Sequence, residues 1–185
     1  MFSTANLDII GTFSDSYFFL SNFYLHEIKV KSITYPSVEH AFQASKSLLI
    51  KDKFEIAAVD SPRLARILGR RVSLRPDWET VKSGVMLFLL REKFSNEILQ
   101  KHLIKTGKAE LIEGNHWGDC YWGICNGVGK NMLGKLLMQV RSEVAKPNKS
   151  WGNMDLEERR VIVGDFINQA VKHRDTKQGV GFLGK

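Results

Sequence analysis

The sequence predicts a helix-rich α+β fold, built as one domain with a helical extension at its carboxyl end. Its 185 residues suit a single domain, and its hydrophobic fraction of 43% and charged fraction of 25% are ordinary for a globular protein. Helix start and stop signals recur along the chain, whereas strand-like runs are short and few. We therefore expect a domain over residues 1–145, followed by a linker and a helical tail over residues 146–185.

The amino-terminal part is predicted to hold two strands and one helix. Residues 13–19 are rich in aromatic side chains, and residues 28–33 alternate apolar residues with lysines, as strands do. Ser37 is a favourable N-cap for a helix that runs to about residue 49. The core face of this helix is expected to carry Val38, Ala41, Ser45, Leu48 and Leu49.

Capping residues mark the remaining helices. Ser61 and Pro62 begin a helix that ends near Gly69, because proline is favoured at the first helical position. Further helices are expected over residues 77–94, 96–105 and 131–144, and Gly107 stops the second of these. Short strands are predicted over residues 109–113 and 121–124, and a weak helical pattern covers residues 154–173 of the tail.

Composition and absent motifs exclude several classes of protein. The longest uninterrupted apolar run, residues 85–90, is far shorter than the roughly 20 residues that cross a bilayer. No signal-peptide pattern opens the chain, and two cysteines cannot form a disulfide scaffold, so we expect a cytoplasmic protein. Zinc-ligand spacing, a Walker A loop, a GxSxG elbow and a Rossmann GxGxxG are absent, and neither a metal nor a cofactor is expected.

The positive charge of the chain is concentrated in its middle. The net charge is +7, and the whole excess lies between residues 63 and 108, where there are eleven Lys and Arg but four Asp and Glu. Guanidinium groups match phosphate oxygens, so this stretch is either a site for an anionic ligand or a solvated basic surface. Motifs typical of nucleic-acid-binding folds do not occur. The arginines concerned are mainly Arg63, Arg66, Arg70, Arg71 and Arg75.

A polar stripe follows the first predicted helix. Glu39, Gln43 and Lys46 are spaced i, i+4 and i+7, which places them on one side of a helix. A carboxylate and an amine held side by side can act as a general acid or base and as a nucleophile. The alternative is an ordinary solvent-exposed stripe. The neighbouring His40 is expected to pack against other residues and not to bind a ligand.

Two aromatic segments are further candidate sites. The glycine-rich residues 114–131 contain Trp117 and Trp122, which can stack on a base, together with Asp119. This segment enters a helix, whose amino terminus attracts anions, although an irregular structural turn is the alternative. In the aromatic residues 14–24, the ring of Phe19 is expected to stack on a ligand, and Asn22 is expected to contact a polar edge of that ligand. The alternative is that these aromatic side chains belong to the core.

Short blocks of sequence, in a fixed order across residues 1–145, resemble a known family. They are Phe19-Leu20-Ser21-Asn22-Phe23, Tyr35-Pro36-Ser37-Val38-Glu39-His40-Ala41-Phe42-Gln43-Ala44 with Lys46, Leu68-Gly69-Arg70, Leu74-Arg75-Pro76-Asp77-Trp78, Leu90-Arg91-Glu92-Lys93-Phe94, Leu111-Ile112-Glu113-Gly114-Asn115, Trp117-Gly118-Asp119, Tyr121-Trp122-Gly123 and Asn131-Met132-Leu133-Gly134-Lys135. These blocks resemble the NADAR superfamily, whose members include YbiA-like N-glycosidases. The tail lies outside the resemblance.

The resemblance implies a helix-rich α+β enzyme that cleaves the N-glycosidic bond between a ribose C1′ and a base. Substrates in the family include phosphoribosylated intermediates of riboflavin synthesis and ADP-ribose attached to guanine. The resemblance also implies that Lys46 attacks the sugar carbon, and Glu39 and Asp119 are then the expected acid and electrostatic groups. Substrate contacts are expected from Phe19, Asn22, Gln43, Arg70, Arg75, Trp78, Trp117, Trp122, Gly127, Gly129 and Asn131.

Two other functions stay open at this point. The first is a non-catalytic module that binds or sequesters ADP-ribose or NAD. The second is a basic nucleic-acid-binding protein, whose affinity would fall steeply with salt. The enzymatic and nucleic-acid hypotheses merge if the substrate is an ADP-ribosylated guanine within DNA or RNA.

Overall fold

The computed structural model describes residues 8–146, in which six helices and seven short strands follow one another. The helices are α1 (Val38–Ala44), α2 (Ile50–Ala57), α3 (Pro62–Gly69), α4 (Trp78–Lys93), α5 (Glu97–Lys105) and α6 (Met132–Val144). The strands are β1 (Ile9–Ile10), β2 (Leu25–Val30), β3 (Ile33–Ser37), β4 (Glu110–Leu111), β5 (Gly114–Asn115), β6 (Ile124–Cys125) and β7 (Val128–Gly129), and a 3-10 helix covers Asp15–Leu20. The helix-rich α+β class is confirmed, whereas the predicted tail helix lies outside the described residues.

The described strands form three small sheets. β2 and β3 make an antiparallel hairpin, and β1 pairs in parallel with β4. In the third sheet β6 is central, parallel to β5 and antiparallel to β7. The β1–β4 pair fixes the chain just before it enters β5 and the glycine-rich segment, so these short strands position that segment.

Helix α1 is the most enclosed element of the fold, and all seven of its residues are buried. It begins as predicted, because Ser37 Oγ accepts a hydrogen bond from the backbone N–H of His40. Helices α2, α3 and α4 and strand β3 all pack against it. His40 packs in the interior as expected, with hydrogen bonds to Ser37 Oγ and to the Val59 carbonyl.

The predicted starts of the later helices are confirmed. Ser61 Oγ caps α3 by accepting from the N–H of Leu64, and Asn96 Oδ1 caps α5 in the same way. Gly107 follows α5 with a φ of 61°, a conformation that favours glycine. Asp77 precedes α4 but does not cap it through its side chain.

Of the two strands predicted in the first forty residues, the first is wrong and the second is right only in part. Residues 13–19 include most of a 3-10 helix, because Ser14 and Asp15 hydrogen-bond to each other and Asp15 adopts a φ of 48°. Residues 28–33 are interrupted by a turn at Lys31, whose φ is 55°, and they contain the tip of the β2–β3 hairpin. The strands predicted over residues 109–113 and 121–124 are shorter than expected. Only β4 and the first residue of β6 fall within these two ranges.

The first helix also ends earlier than predicted. It stops at Ala44, where the hydroxyl of Ser45 bonds back to the Ala41 carbonyl and competes with the next helical turn. The separate helix α2 was not predicted. Leu48 and Leu49, expected on the core face, lie in the connection and are exposed. Because α1 ends at Ala44, Lys46 lies in the turn that follows and not on the helix.

The core lies between α1, α4 and α6 and is dominated by apolar side chains of α4, including Met86, Leu87, Leu89 and Leu90. Within residues 8–146, no helix combines the length and the apolar content of a membrane span.

The packing of α6 against β4 depends on a glycine, and this contact gives a first prediction. A Cβ at Gly134 would overlap the backbone carbonyl of Leu111 and the Asn131 side chain that hydrogen-bonds to it. We expect Gly134→Ala to lower the free energy of unfolding by about 1–3 kcal/mol in denaturant titrations, as overpacking does. Gly11→Ala is the control, because nothing lies within 4 Å of its Cβ position. Equal stability of the two variants would contradict the prediction.

Candidate active site

A cavity of about 380 Å³ lies beside α1 and gathers side chains that are distant in sequence. Helix α1 and the turn after it contribute Glu39, Gln43 and Lys46, so the predicted polar stripe faces this cavity and not open solvent. The other charged side chains of the lining are Arg66, Arg70, Lys82, Glu113 and Asp119, and its aromatic ones are Phe23, Phe42, Trp78, Trp117 and Trp122. Both signs of charge therefore meet in one enclosed space.

Glu39 is a buried carboxylate held by two donors. Its side chain is 4% exposed, and its Oε1 accepts from Gln43 Nε2 at 2.9 Å and from Arg66 Nε at 3.0 Å. It lies in the first turn of α1, where the helix dipole favours an anion. The pairing with Arg66 keeps a negative charge at the cavity wall.

Helix α3 brings two arginines to the cavity because the residue before each of them is small and lets α3 approach α1. Ala65 and Gly69 are buried, and a Cβ at Gly69 would overlap Gln43, so only glycine allows this approach to α1. Arg66 and Arg70, one helical turn apart, both line the cavity. Sequence reasoning included Arg66 in the basic stretch but did not select it for the site.

Lys46 lies just beyond α1 and is partly buried at the cavity wall. Burial is the main cause that lowers the pKa of its amine. Glu39 opposes this shift, whereas the positive charges of Arg70 and Arg66 lower the pKa further. The structure thus supplies both conditions that a nucleophilic lysine needs near neutral pH, burial and neighbouring cations.

Glu113 is a cavity residue that sequence reasoning missed. It lies between β4 and β5, and burial, helped by the nearby Asp119 carboxylate, raises the pKa of its side chain to about 7. Arg66 opposes the shift and Glu39 adds to it. A lone glutamate beside a short strand has no periodic pattern, so the only available signal was its presence in one of the family-like blocks.

The glycine-rich segment is an ordered turn that also lines the cavity. Asn115 and Asp119 exchange two hydrogen bonds, from Asn115 Nδ2 to the Asp119 carbonyl and from the Asp119 N–H to Asn115 Oδ1. The carboxylate of Asp119 accepts from the N–H groups of Tyr121 at 3.1 Å and of Trp122 at 2.8 Å. This side chain therefore organises the loop as well as facing the cavity.

Five predicted substrate-binding residues do not line the cavity. Phe19 packs edge-on against Phe94 and His102. Nε and Nη2 of Arg75 donate to the Asp77 carboxylate, at 2.6 and 2.8 Å. Gly127 and Gly129 belong to the β6–β7 hairpin, and the side chain of Asn131 bridges the Leu111 carbonyl and the Glu113 N–H. The cavity is lined by the other six predicted substrate-binding residues, which are Asn22, Gln43, Arg70, Trp78, Trp117 and Trp122.

A buried lysine supports the Asn22 side of the cavity. Lys93 is fully buried, and its Nζ donates to the Ser21 carbonyl at 2.8 Å. Burial lowers the pKa of this amine to about 7. Next to it, Asn22 Oδ1 is a buried acceptor without a hydrogen-bond partner among the described residues, and so is Gln43 Oε1. Within residues 8–146, no group of three His, Cys, Asp or Glu side chains is arranged to hold a metal ion.

Comparisons with known proteins identify the family. Residues 8–145 match the NADAR domain. N-glycosidase YbiA of Shigella flexneri serotype 5b is 46% identical over 136 residues, covering 71% of this chain and 84% of that protein. A riboflavin biosynthesis protein of Vibrio vulnificus is 37% identical over 180 residues, covering 82% of this chain and 49% of that protein. The NMR structure of YbiA from E. coli matches with a TM-score of 0.68 and 43% identity, covering 75% and 85% of the two chains.

The chain therefore belongs to the NADAR family. The predicted resemblance and fold class are confirmed by these matches, and the protein is an enzyme of the N-glycosidase class, a hydrolase that acts on N-glycosyl bonds.

Proposed function

We propose that this protein hydrolyses the bond between a ribose C1′ and a base in one of two substrate types. One is ADP-ribosylated guanine, and the other is a phosphoribosylated intermediate of riboflavin synthesis. The observation that carries the proposal is the joint position of Lys46 and Glu39, since an amine of lowered pKa and a buried carboxylate line the same cavity.

The chemistry of N-glycosidic cleavage suits these groups. As the C1′–N bond breaks, positive charge develops on the sugar, and a fixed anion such as Glu39 stabilises it. The neutral form of Lys46 can attack C1′, and its lowered pKa makes that form more abundant. Arg70 and Lys82 are the cations for the phosphates, and the unpaired acceptor of Asn22 suits a sugar hydroxyl.

The test is mass spectrometry of products after incubation with four compounds. These are ADP-ribosylated guanosine, ADP-ribosylated guanine in an oligonucleotide, a phosphoribosylaminouracil and NAD, each also incubated with the Lys46→Ala variant. Release of a free base that is absent with the variant would identify the substrate. If no compound is cleaved but one binds in calorimetry, the protein is a sequestering module and the proposal fails.

Asp119 gives a second prediction, because its structural and electrostatic roles are separable. Asn in its place keeps an Oδ1 that accepts from Tyr121 and Trp122, but it removes the negative charge. We expect Asp119→Asn to melt near the wild-type temperature while kcat falls by about 10²-fold. Asp119→Ala should lose both stability and activity. A wild-type kcat for Asp119→Asn would show that this residue only organises the loop.

A further inference from the structure

A second cavity, of about 460 Å³, adjoins the catalytic one. We call it the aromatic compartment, because Phe13, Phe18, Phe23, His116 and Trp117 line it. Arg66 and Glu113 line both cavities, as do Ser21, Phe23 and Trp117, so the two spaces meet at these five residues. Apart from this shared pair of charges, the compartment is lined by aromatic, hydroxyl and glycine residues and by His116.

We propose that the aromatic compartment binds the planar base that leaves the sugar, and that Glu113, at the boundary, donates a proton to the leaving nitrogen. This inference rests on the proposed N-glycosidase function and assigns the site of the leaving group. The ribose and its phosphates then lie in the catalytic cavity near Lys46, Arg70 and Lys82. The bond that breaks lies between the two cavities.

The aromatic rings of the two cavities differ in how much surface they offer. In the catalytic cavity, Phe42 packs against both Trp78 and Trp122, with ring centroids 5.0 and 5.3 Å apart, and Trp78 is buried. In the aromatic compartment, Phe18 is 42% exposed, and Trp117, which lines both cavities, is 56% exposed. Exposed aromatic rings lining a concave space are suited to stacking on a flat heterocycle.

The boundary holds the groups that cleavage requires. The Arg66 guanidinium lies over the Phe23 ring, 4.6 Å from its centroid, which keeps this cation at the junction. The charged groups that face Glu113 are Asp119, Arg66 and Glu39, with His116 on the compartment side and Lys46, Arg70 and Lys82 in the catalytic cavity. With a pKa of about 7, Glu113 retains a proton to donate near neutral pH.

The proposed step balances as a hydrolysis. The C1′–N bond breaks, its electron pair passes to the nitrogen, and that nitrogen takes the proton of Glu113. Lys46 Nζ forms a bond to C1′ as the base leaves. Water then adds its hydroxyl to C1′, and the C1′–Nζ bond breaks with its electron pair returning to Lys46. The remaining proton of that water returns to Glu113, which is then ready for another cycle.

The base site is tested by a binding experiment that needs no turnover. Guanine and a diaminouracil are the probes, titrated into wild type, Phe18→Ala and the control Phe54→Ala, whose ring is exposed on α2 outside both cavities. We expect Phe18→Ala to bind a probe about tenfold more weakly, while ribose 5-phosphate binds equally to all three. Unchanged binding of both probes by Phe18→Ala, or binding of neither probe by wild type, would overturn the base site.

The proton donor is tested with Glu113→Gln on the substrate that the panel identifies. We expect kcat to fall by about 10²- to 10⁴-fold with little change in KM. Glu110→Gln is the control, because Glu110 is an exposed carboxylate on the adjacent β4. Since only protonated Glu113 donates, the wild-type pH–rate profile should bend downward near pH 7, below the rise that neutral Lys46 alone would give, and the Gln variant should lack this bend.

The outcomes separate this inference from the proposed function. If no compound is cleaved, the proposed substrates and the proton donor fail together, whereas the probe titrations still decide the base site. If a substrate is cleaved but Phe18→Ala and Glu113→Gln behave like their controls, only the inference fails. A p-nitrophenyl ribose 5-phosphate provides a further test of the proton donor. Its leaving group departs without a proton, so its cleavage should be insensitive to Glu113→Gln.

Discussion

Lys46→Met is expected to reduce turnover by at least about 10³-fold while the protein remains folded. Methionine keeps much of the volume of the lysine side chain but has no amine to attack C1′. Burial lowers the pKa of Lys46, so the folded state disfavours the charged amine and removal of this amine should not destabilise the folded state. The measurement is single-turnover release of base, with a thermal melt to confirm folding.

Lys53→Met is the matched control for this variant. Burial also lowers the pKa of Lys53, with Lys31 and Arg75 adding to the effect, but Lys53 does not line the cavity. Borohydride reduces the Schiff base that forms when the C1′–Nζ adduct opens its sugar ring. Added during turnover, it should therefore trap a covalent sugar adduct in wild type and in Lys53→Met, and not in Lys46→Met. Full activity of Lys46→Met would exclude the residue from the reaction. If Lys46→Met is inactive but wild type gives no adduct, Lys46 has an electrostatic role only.

Glu39→Gln is the second variant with a large expected effect. The amide keeps an Oε1 that accepts from Gln43 and Arg66, so the local contacts can persist, but the buried negative charge is lost. Since that charge stabilises the developing cation on the sugar, we expect kcat to fall by about 10²- to 10³-fold. The control is Glu55→Gln, because Glu55 is a surface carboxylate paired with Lys51 on α2.

The pH profile of the Glu39→Gln variant provides an independent readout. Glu39 raises the pKa of Lys46, so its neutralisation should lower that pKa. If neutral Lys46 is the nucleophile, the rate rises with pH through its pKa, and this rise should occur at lower pH in the variant. An unshifted profile with a normal kcat would show that Glu39 has only a structural role through Arg66.

Local signals in the sequence were sufficient for much of the helical structure. Ser37, Ser61 and Asn96 begin helices as predicted, since a cap depends on a hydrogen bond between residues two or three positions apart. The i, i+4, i+7 spacing predicted that Glu39, Gln43 and Lys46 share one side, and all three do line one cavity, although Lys46 lies beyond the end of α1. The family-like blocks implied the N-glycosidase class. These conclusions require only neighbours along the chain or the order of short motifs.

Tertiary structure decided which of these residues meet. The polar stripe of α1 is buried because α3 packs close to it at Gly69, a contact between positions 26 residues apart in the chain. The same packing brings Arg66 to Glu39, whereas Arg75 pairs locally with Asp77 and is lost to the site. Glu113 becomes a proton donor candidate only because the fold buries it near Asp119. Burial and charge pairing depend on long-range contacts, which helical periodicity and capping residues do not encode.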